Sequence, residues 1–206
     1  MSTRSGRERP ANSCYEFRVW GKYRNAQRVL DQLAAEVSLQ EFDDCYLLGS
    51  DPRWNVKVRD GKLKLKRLVA QEEGFECWTS RRYKSAENAP SPFAGMFDEL
   101  GLGGPGEMES YEISEVVAGW DDRAETQPLL VTKQRRRYHI GLGEAEVVKI
   151  DVHDSPIVLK SLAIQGDDLD KLIALRDELG LDGEENLAVH MALENETNVL
   201  DGVSVG

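Results

Sequence analysis

Five basic side chains recur at every second position in one short stretch: Lys57 and Arg59, then Lys62, Lys64 and Lys66, with Asp60-Gly61 between the two runs. Residues two apart share one face of a strand. An Asp-Gly pair between alternating runs supplies the two positive-φ positions of a type I′ turn, so the stretch predicts a hairpin with a row of cations on each strand. Ammonium and guanidinium groups arrayed in this way are suited to holding anionic oxygens, those of phosphate above all. On an exposed edge the same rows would be a solvated face that discourages strand pairing. In a closed sheet the cations would point inward, and Val56, Val58, Leu63 and Leu65 would pack outward under helices.

Other residues bear on that choice. Lys133, Arg135 and Arg137 share one face of a strand read over 129–140, with Gln134, Arg136 and Tyr138 on the other. Arg81 and Arg82 alternate, so at most one of them joins the basic face. Glu16, Glu76, Glu144, Glu146 and Asp151 are the carboxylates on predicted strands. Buried cations need such partners when no anion is bound. Cys14, Cys45 and Cys77, like His139, His153 and His190, show no metal-ligand or redox spacing, which argues against a zinc site. Trp20, Trp54, Trp78 and Trp120 lack the aromatic–basic interleaving of an RNA-binding sheet and read as core or barrel-mouth residues.

The chain of 206 residues carries a net charge of −11. Such an acidic protein is a poor general binder of nucleic acid or anionic membrane, so local basic rows point to a confined anion site. No apolar run approaches the roughly 18 residues of a membrane span. Residues 1–12 read as a disordered leader with no secretory signal, 13–195 as a single domain and 196–206 as a loose tail; a cytoplasmic protein is expected.

The elements that must position these residues follow from periodicity. Strands are predicted over 14–20, 43–48, 54–59, 62–69, 75–83, 129–140, 144–152 and 157–165. Helices are predicted over 25–37 with Asn25 as cap, from a cap at Asp167 to Leu179 before Gly180, and over 186–193. Between 86 and 127 the pattern weakens to a helix over 92–102 and a strand over 111–117. There is no regular strand–helix alternation and no phosphate-loop sequence, so a Rossmann-type sheet is disfavoured. Many antiparallel strands with few helices predict a closed or nearly closed barrel.

The stretch DDCYLLGSDPRWNVKVRDGKLKLK resembles the CYTH superfamily, the triphosphate tunnel metalloenzymes; KQRRRYHI and SLAIQGDDLDKLIALRDELGLDGEEN are similar to its late strands, helix and close. The resemblance implies an α+β fold, an antiparallel eight-stranded tunnel-like β-barrel with helices packed on the outside. It implies Arg18, Lys57, Arg59, Lys64, Lys66, Arg135 and Arg137 as anion-binding residues and Glu16 and Glu76 as metal candidates. The family opens on a Glu-x-Glu-x-Lys strand, where this chain has Glu16, Arg18 and Trp20. Ala163 and Gln165 stand where the family has two glutamates on a late strand. Mg²⁺ and Mn²⁺ need hard, charged oxygen ligands, and these departures remove most of them.

The expected function is therefore that of a divergent tunnel protein that binds a phosphate-rich small molecule or polyphosphate, with catalysis lost and Arg18 supplying charge in place of metal. Two alternatives stand beside it. One is an active phosphohydrolase or adenylyl cyclase acting on organic or inorganic triphosphates with Mg²⁺ or Mn²⁺ on Glu16, Glu76 and Asp151. The other is a protein-interaction scaffold. Three or more carboxylates converging in the lumen would favour the enzyme.

Overall fold

The computed structural model describes residues 12–49, 51–84, 128–141 and 143–203. Eight strands close into one antiparallel barrel in the order β1-β5-β4-β3-β2-β6-β7-β8. They are β1 (Ser13–Trp20), β2 (Glu36–Leu47), β3 (Trp54–Arg59), β4 (Lys62–Glu72), β5 (Phe75–Lys84), β6 (Pro128–Ile140), β7 (Gly143–Val152) and β8 (Val158–Gly166). The three helices among the described residues are α1 (Arg24–Leu33), α2 (Leu169–Glu178) and α3 (Val189–Val203). This is the α+β tunnel-like barrel expected from the sequence.

Tight turns set the register. Asp60 and Gly61 have φ of 50° and 65°, and Glu73 and Gly74 have 52° and 82°. Both pairs sit in the left-handed region that a two-residue hairpin loop requires. The turn at Asp60-Gly61 puts Lys57 opposite Lys64 and Val58 opposite Leu63. A one-residue slip would exchange the two faces.

The outward residues of β1, β5, β6, β7 and β8 form the larger core: Phe17, Phe75, Tyr138 and Ile164 pack under Leu30 of α1 and Leu172 and Leu175 of α2. A second core lies around Tyr46, Val131 and Ile150, where Val189 and Leu193 of α3 close one end of the barrel. The buried face of the β3–β4 hairpin carries Val56, Leu63 and Leu65, as the alternation requires.

Several boundaries differ from the sequence reading. The helix expected over 25–37 ends at Leu33, Tyr23 takes the cap position with no side-chain cap, and Val37 lies on β2. Val37 fits a helical period, but twelve pairs with β6 hold 36–47 extended and outweigh the local preference. Asp168, one residue beyond the expected cap, accepts from the Lys171 N–H at 3.2 Å. Helix α3 runs to Val203, so 196–203, expected as a loose tail, continues it. The helix over 92–102, the strand over 111–117, Trp120 and residues 1–11 lie outside the described residues. Among the described residues, no helix is long and apolar enough to cross a membrane.

Candidate functional site

The barrel lumen holds a cavity of about 230 Å³, and among the described residues nine basic side chains line it against two acidic ones, Glu16 and Glu146. Lys57 and Arg59 enter from β3, Lys64 and Lys66 from β4, Arg18 from β1, and Arg135 and Arg137 from β6; Arg82 and Lys133 complete the set. The structure thus brings all seven sequence-predicted basic residues to one cavity. Of the consecutive pair, Arg82 lines it, as alternation allows.

Most of these cations already have partners. Asp44, fully buried, is a hub. It accepts from Lys57 at 2.8 Å and from Arg59 at 2.5 and 2.7 Å, with Lys133 at 3.3 Å. Burial alone would raise its carboxyl, but the Arg59 hydrogen bond and the charges of Lys57 and Lys133 hold it far below the usual range. Lys133 also donates to the Tyr46 hydroxyl at 2.5 Å. Burial lowers its amine to about 8 against the opposing pull of Asp44. Phe42 sits between two guanidiniums, with Arg59 3.7 Å and Arg135 4.9 Å from its ring centre, a cation–π arrangement that fixes both.

A second cluster is centred on Arg18, only 4% exposed. It donates to Glu16 at 3.0 and 3.2 Å, to Glu146 at 2.5 Å and to the Ser161 hydroxyl at 2.8 Å. The second oxygen of Glu16 takes Lys66 at 2.7 Å, and that of Glu146 takes Arg135 at 3.3 Å. Burial would raise the carboxyl of Glu146, but Arg18 holds it down at about 2. Arg137 bonds to Glu144, which also accepts from Gln165 at 2.8 Å.

Lys64 is the exception. It lies directly across from Lys57 on one side and Arg82 on the other. Burial first, then the charges of Lys66, Lys57, Arg82 and Arg59, lower its amine to about 7. No carboxylate pairs with Lys64 or with Arg82 among the described residues. Like charges directly opposite on neighbouring strands destabilise a sheet, so this belt is left with positive charge that nothing in the described chain offsets.

The metal candidates fit poorly. Glu16 and Glu76 face each other across β1 and β5. Both oxygens of Glu16 are taken by cations, and Glu76 accepts from the Trp78 indole at 3.3 Å. Burial and the neighbouring Glu16 charge raise Glu76 to about 7. Asp151, the third acid of the rearranged site expected for an enzyme, faces the outer wall and pairs with Lys149 at 2.7 Å. Counting from Glu146 shows why: position 151 is an odd number of residues away and belongs to the other face. Among the described residues, no group of three or more His, Cys, Asp or Glu side chains could hold a metal ion. The donor set present does not suit Mg²⁺ or Mn²⁺, which need uncommitted carboxylate oxygens. Trp20 turns toward the apolar end, where its indole donates to the Leu187 carbonyl at 2.8 Å.

The raised Glu76 predicts a pH effect. Its folded value lies above the unfolded value of about 4.3, so its contribution is greatest below that value and is lost as pH rises through about 7. Glu76→Gln should therefore stabilise the protein above pH 7 by about 1–2 kcal/mol, discounted for partial exposure, and change little at acid pH. Urea denaturation at both pH values checks this.

Sequence reasoning misses Asp44 and Tyr46 as members of the site; it puts Lys133 on the face of Arg135 and Arg137 and Glu146 among the strand carboxylates without assigning either to the site. Alternation from Arg135 is the signal for Lys133, and alternation from Tyr46 chooses Asp44 over Asp43. A larger groove of about 760 Å³ lies on the outer wall beside α1, but two of its lining cations, Arg136 and Lys149, are committed to Asp31 and Asp151.

No protein-family model and no curated protein sequence matches the chain. Solved structures do. A conserved hypothetical protein from Pyrococcus furiosus superposes with a TM-score of 0.50 at 13% identity, over 86% of this chain and 98% of that one. HpAC1 from Hippeastrum, described as having a dominant triphosphatase activity, gives 0.47 at 12% identity over 89% of this chain and 96% of that one. The Pct1 RNA triphosphatase of S. pombe gives 0.35 at 12% identity, over 94% and 84%. At such identities the likeness is one of architecture: the barrel of this chain has the CYTH-like, triphosphate-tunnel fold.

Proposed function

We propose that this protein binds a phosphate-rich anion, a polyphosphate or the phosphate chain of a nucleotide, in its basic lumen, and that it does so without the metal-assisted catalysis the fold can support. One observation carries the reading: Lys57, Lys64 and Arg82 run in order across β3, β4 and β5 as a cross-strand belt, and neither Lys64 nor Arg82 has a carboxylate partner among the described residues. An anion seated there would offset the charge that the chain leaves open and would accept charge-assisted hydrogen bonds from several donors at once. The guanidiniums of Arg59 and Arg135, held at Phe42, would add the N–H donors not already given to Asp44, Gln40 and Glu146, with little rotamer entropy to lose. The carboxylates that would hold a divalent metal are committed to cations, which is why catalysis is left out of the proposal. Cys14, Cys45 and Cys77 are free thiols, in keeping with a reducing cytoplasm.

Thermal denaturation in EDTA tests the reading. Inorganic triphosphate should raise the melting temperature more than inorganic phosphate or sulfate at equal concentration, because a longer anion spans more of the belt. Saturation at 100-fold over Kd corresponds to about 2.7 kcal/mol, or roughly 2–4 °C per kcal/mol for a chain of this size. No shift with any anion would leave the scaffold reading. A shift that appears only with Mg²⁺ or Mn²⁺ would favour a metal-dependent triphosphatase or cyclase.

A further inference from the structure

Two carboxylates with one cation between them are the core of a divalent-metal site, and here, between buried Glu16 and half-buried Glu146, the cation belongs to the chain. On the lumen face the register runs Arg18 of β1, Ala163 of β8, Glu146 of β7, each directly opposite the next. Ala163 presents only a methyl group, so the guanidinium of Arg18 reaches across β8 to Glu146 while staying bonded to Glu16. Any longer side chain at 163 would stand in its path. Glu76, opposite Glu16, brings a third carboxyl to the neighbourhood.

We infer that Arg18 is a resident cation: its guanidinium fills the place between Glu16 and Glu146 that a divalent metal would take, so the tunnel is built to hold its anion metal-free. The guanidinium satisfies one oxygen of each carboxylate, and Lys66 and Arg135 satisfy the others. Removing Arg18 leaves one oxygen of Glu16 and one of Glu146 without a donor, facing each other with Glu76 nearby, while Lys66 and Arg135 keep the other two. A small hard cation is the group that suits such a pocket. The metal-free part of the inference rests on the anion-binding function proposed above; the latent metal site does not.

The test uses the full chain and its Arg18→Gln and Arg18→Ala variants, with Mn²⁺ as the probe. The parent should bind Mn²⁺ no tighter than about 1 mM, and Arg18→Gln should gain about 30-fold or more by calorimetry. Both variants should melt at a lower temperature than the parent in EDTA and recover with Mn²⁺, a readout that holds even where a variant is largely unfolded without metal. Triphosphate should bind the parent equally in EDTA and in Mg²⁺. It should bind Arg18→Gln more weakly in EDTA than in Mn²⁺. If neither variant gains Mn²⁺ binding or Mn²⁺-dependent melting, or if the parent already binds Mn²⁺ at micromolar concentration, Arg18 is not a metal surrogate. That failure is separable from failure of the proposed function: a parent that binds no triphosphate while Arg18→Gln gains Mn²⁺ keeps the latent site and removes the anion.

Discussion

Asp44→Asn is expected to lower stability by about 3–5 kcal/mol, the cost of breaking a buried ion cluster by removing one member. Asp44 has no solvent exposure and sits within 3.3 Å of the charged nitrogens of Lys57, Arg59 and Lys133. Asparagine matches its shape but leaves three cations facing one another with their counter-charge gone. By comparison, Asp51→Asn removes an exposed partner of Arg53 and should cost less than about 1 kcal/mol. Urea denaturation at pH 7 and low salt gives both values. The Asp44 carboxyl is held below its unfolded value near 3.9, so its contribution is full above that pH and is lost as pH falls through the depressed folded value. Millimolar sulfate or phosphate should restore part of the loss in Asp44→Asn, since an anion in the lumen replaces the missing charge. A variant within about 1 kcal/mol of the parent would show that the cluster is not a structural hub.

Lys64→Glu should have opposite effects on binding and on folding. A carboxylate at 64 would sit among Lys66, Lys57, Arg82 and Arg59, the charges that now press down the Lys64 amine. Binding of triphosphate should weaken by at least about 100-fold, because an attractive donor becomes a repulsive charge. The ligand-free protein should become more stable by about 1 kcal/mol, because a belt of like charges gains its counter-charge. The pH dependence follows from the same position. Folded Lys64 titrates at about 7, below its unfolded value of about 10.4. The cost of its buried charge is therefore present below pH 7 and is relieved as pH rises from 7 toward 10.4, so parent stability rises with pH there relative to Lys64→Met. A bound anion favours the charged amine. Binding near pH 7–8 should take up protons and weaken as pH rises, and Lys64→Arg should bind without that loss. Equal affinities for parent and Lys64→Glu would place the anion elsewhere.

Period two and turn chemistry control what the sequence discloses. Asp60-Gly61 fixes the hairpin register, so alternation alone puts Lys57, Arg59, Lys64 and Lys66 on one face. Which face turns inward depends on closure of the whole barrel, and there the family resemblance supplies the answer. Pairings across distant strands are not legible. Arg18 and Glu146 lie 128 residues apart and meet only because β8 sits between β1 and β7 with alanine at the crossing. The Asp43-Asp44 pair hides the hub, since one of two adjacent acids must face outward: Asp43 bonds the Thr132 hydroxyl at 2.6 Å on the outer wall. The stretch from Glu36 to Phe42 defeats local reading, because Val37 continues the helical period of 25–37, residues 38–42 show no clear period, and the ladder with the thirteen residues of β6 is what holds them extended.

Titration of the full chain with inorganic triphosphate in a calorimeter, at pH 7 in EDTA and with Lys64→Glu in parallel, measures the proposed site most directly. One site of micromolar affinity is predicted for the parent, with proton uptake shown by a heat that varies with the ionisation enthalpy of the buffer, and no resolvable binding for Lys64→Glu. Absence of parent binding in EDTA with its appearance in Mg²⁺ or Mn²⁺, or equal binding by the two proteins, would contradict a metal-free anion site at Lys64.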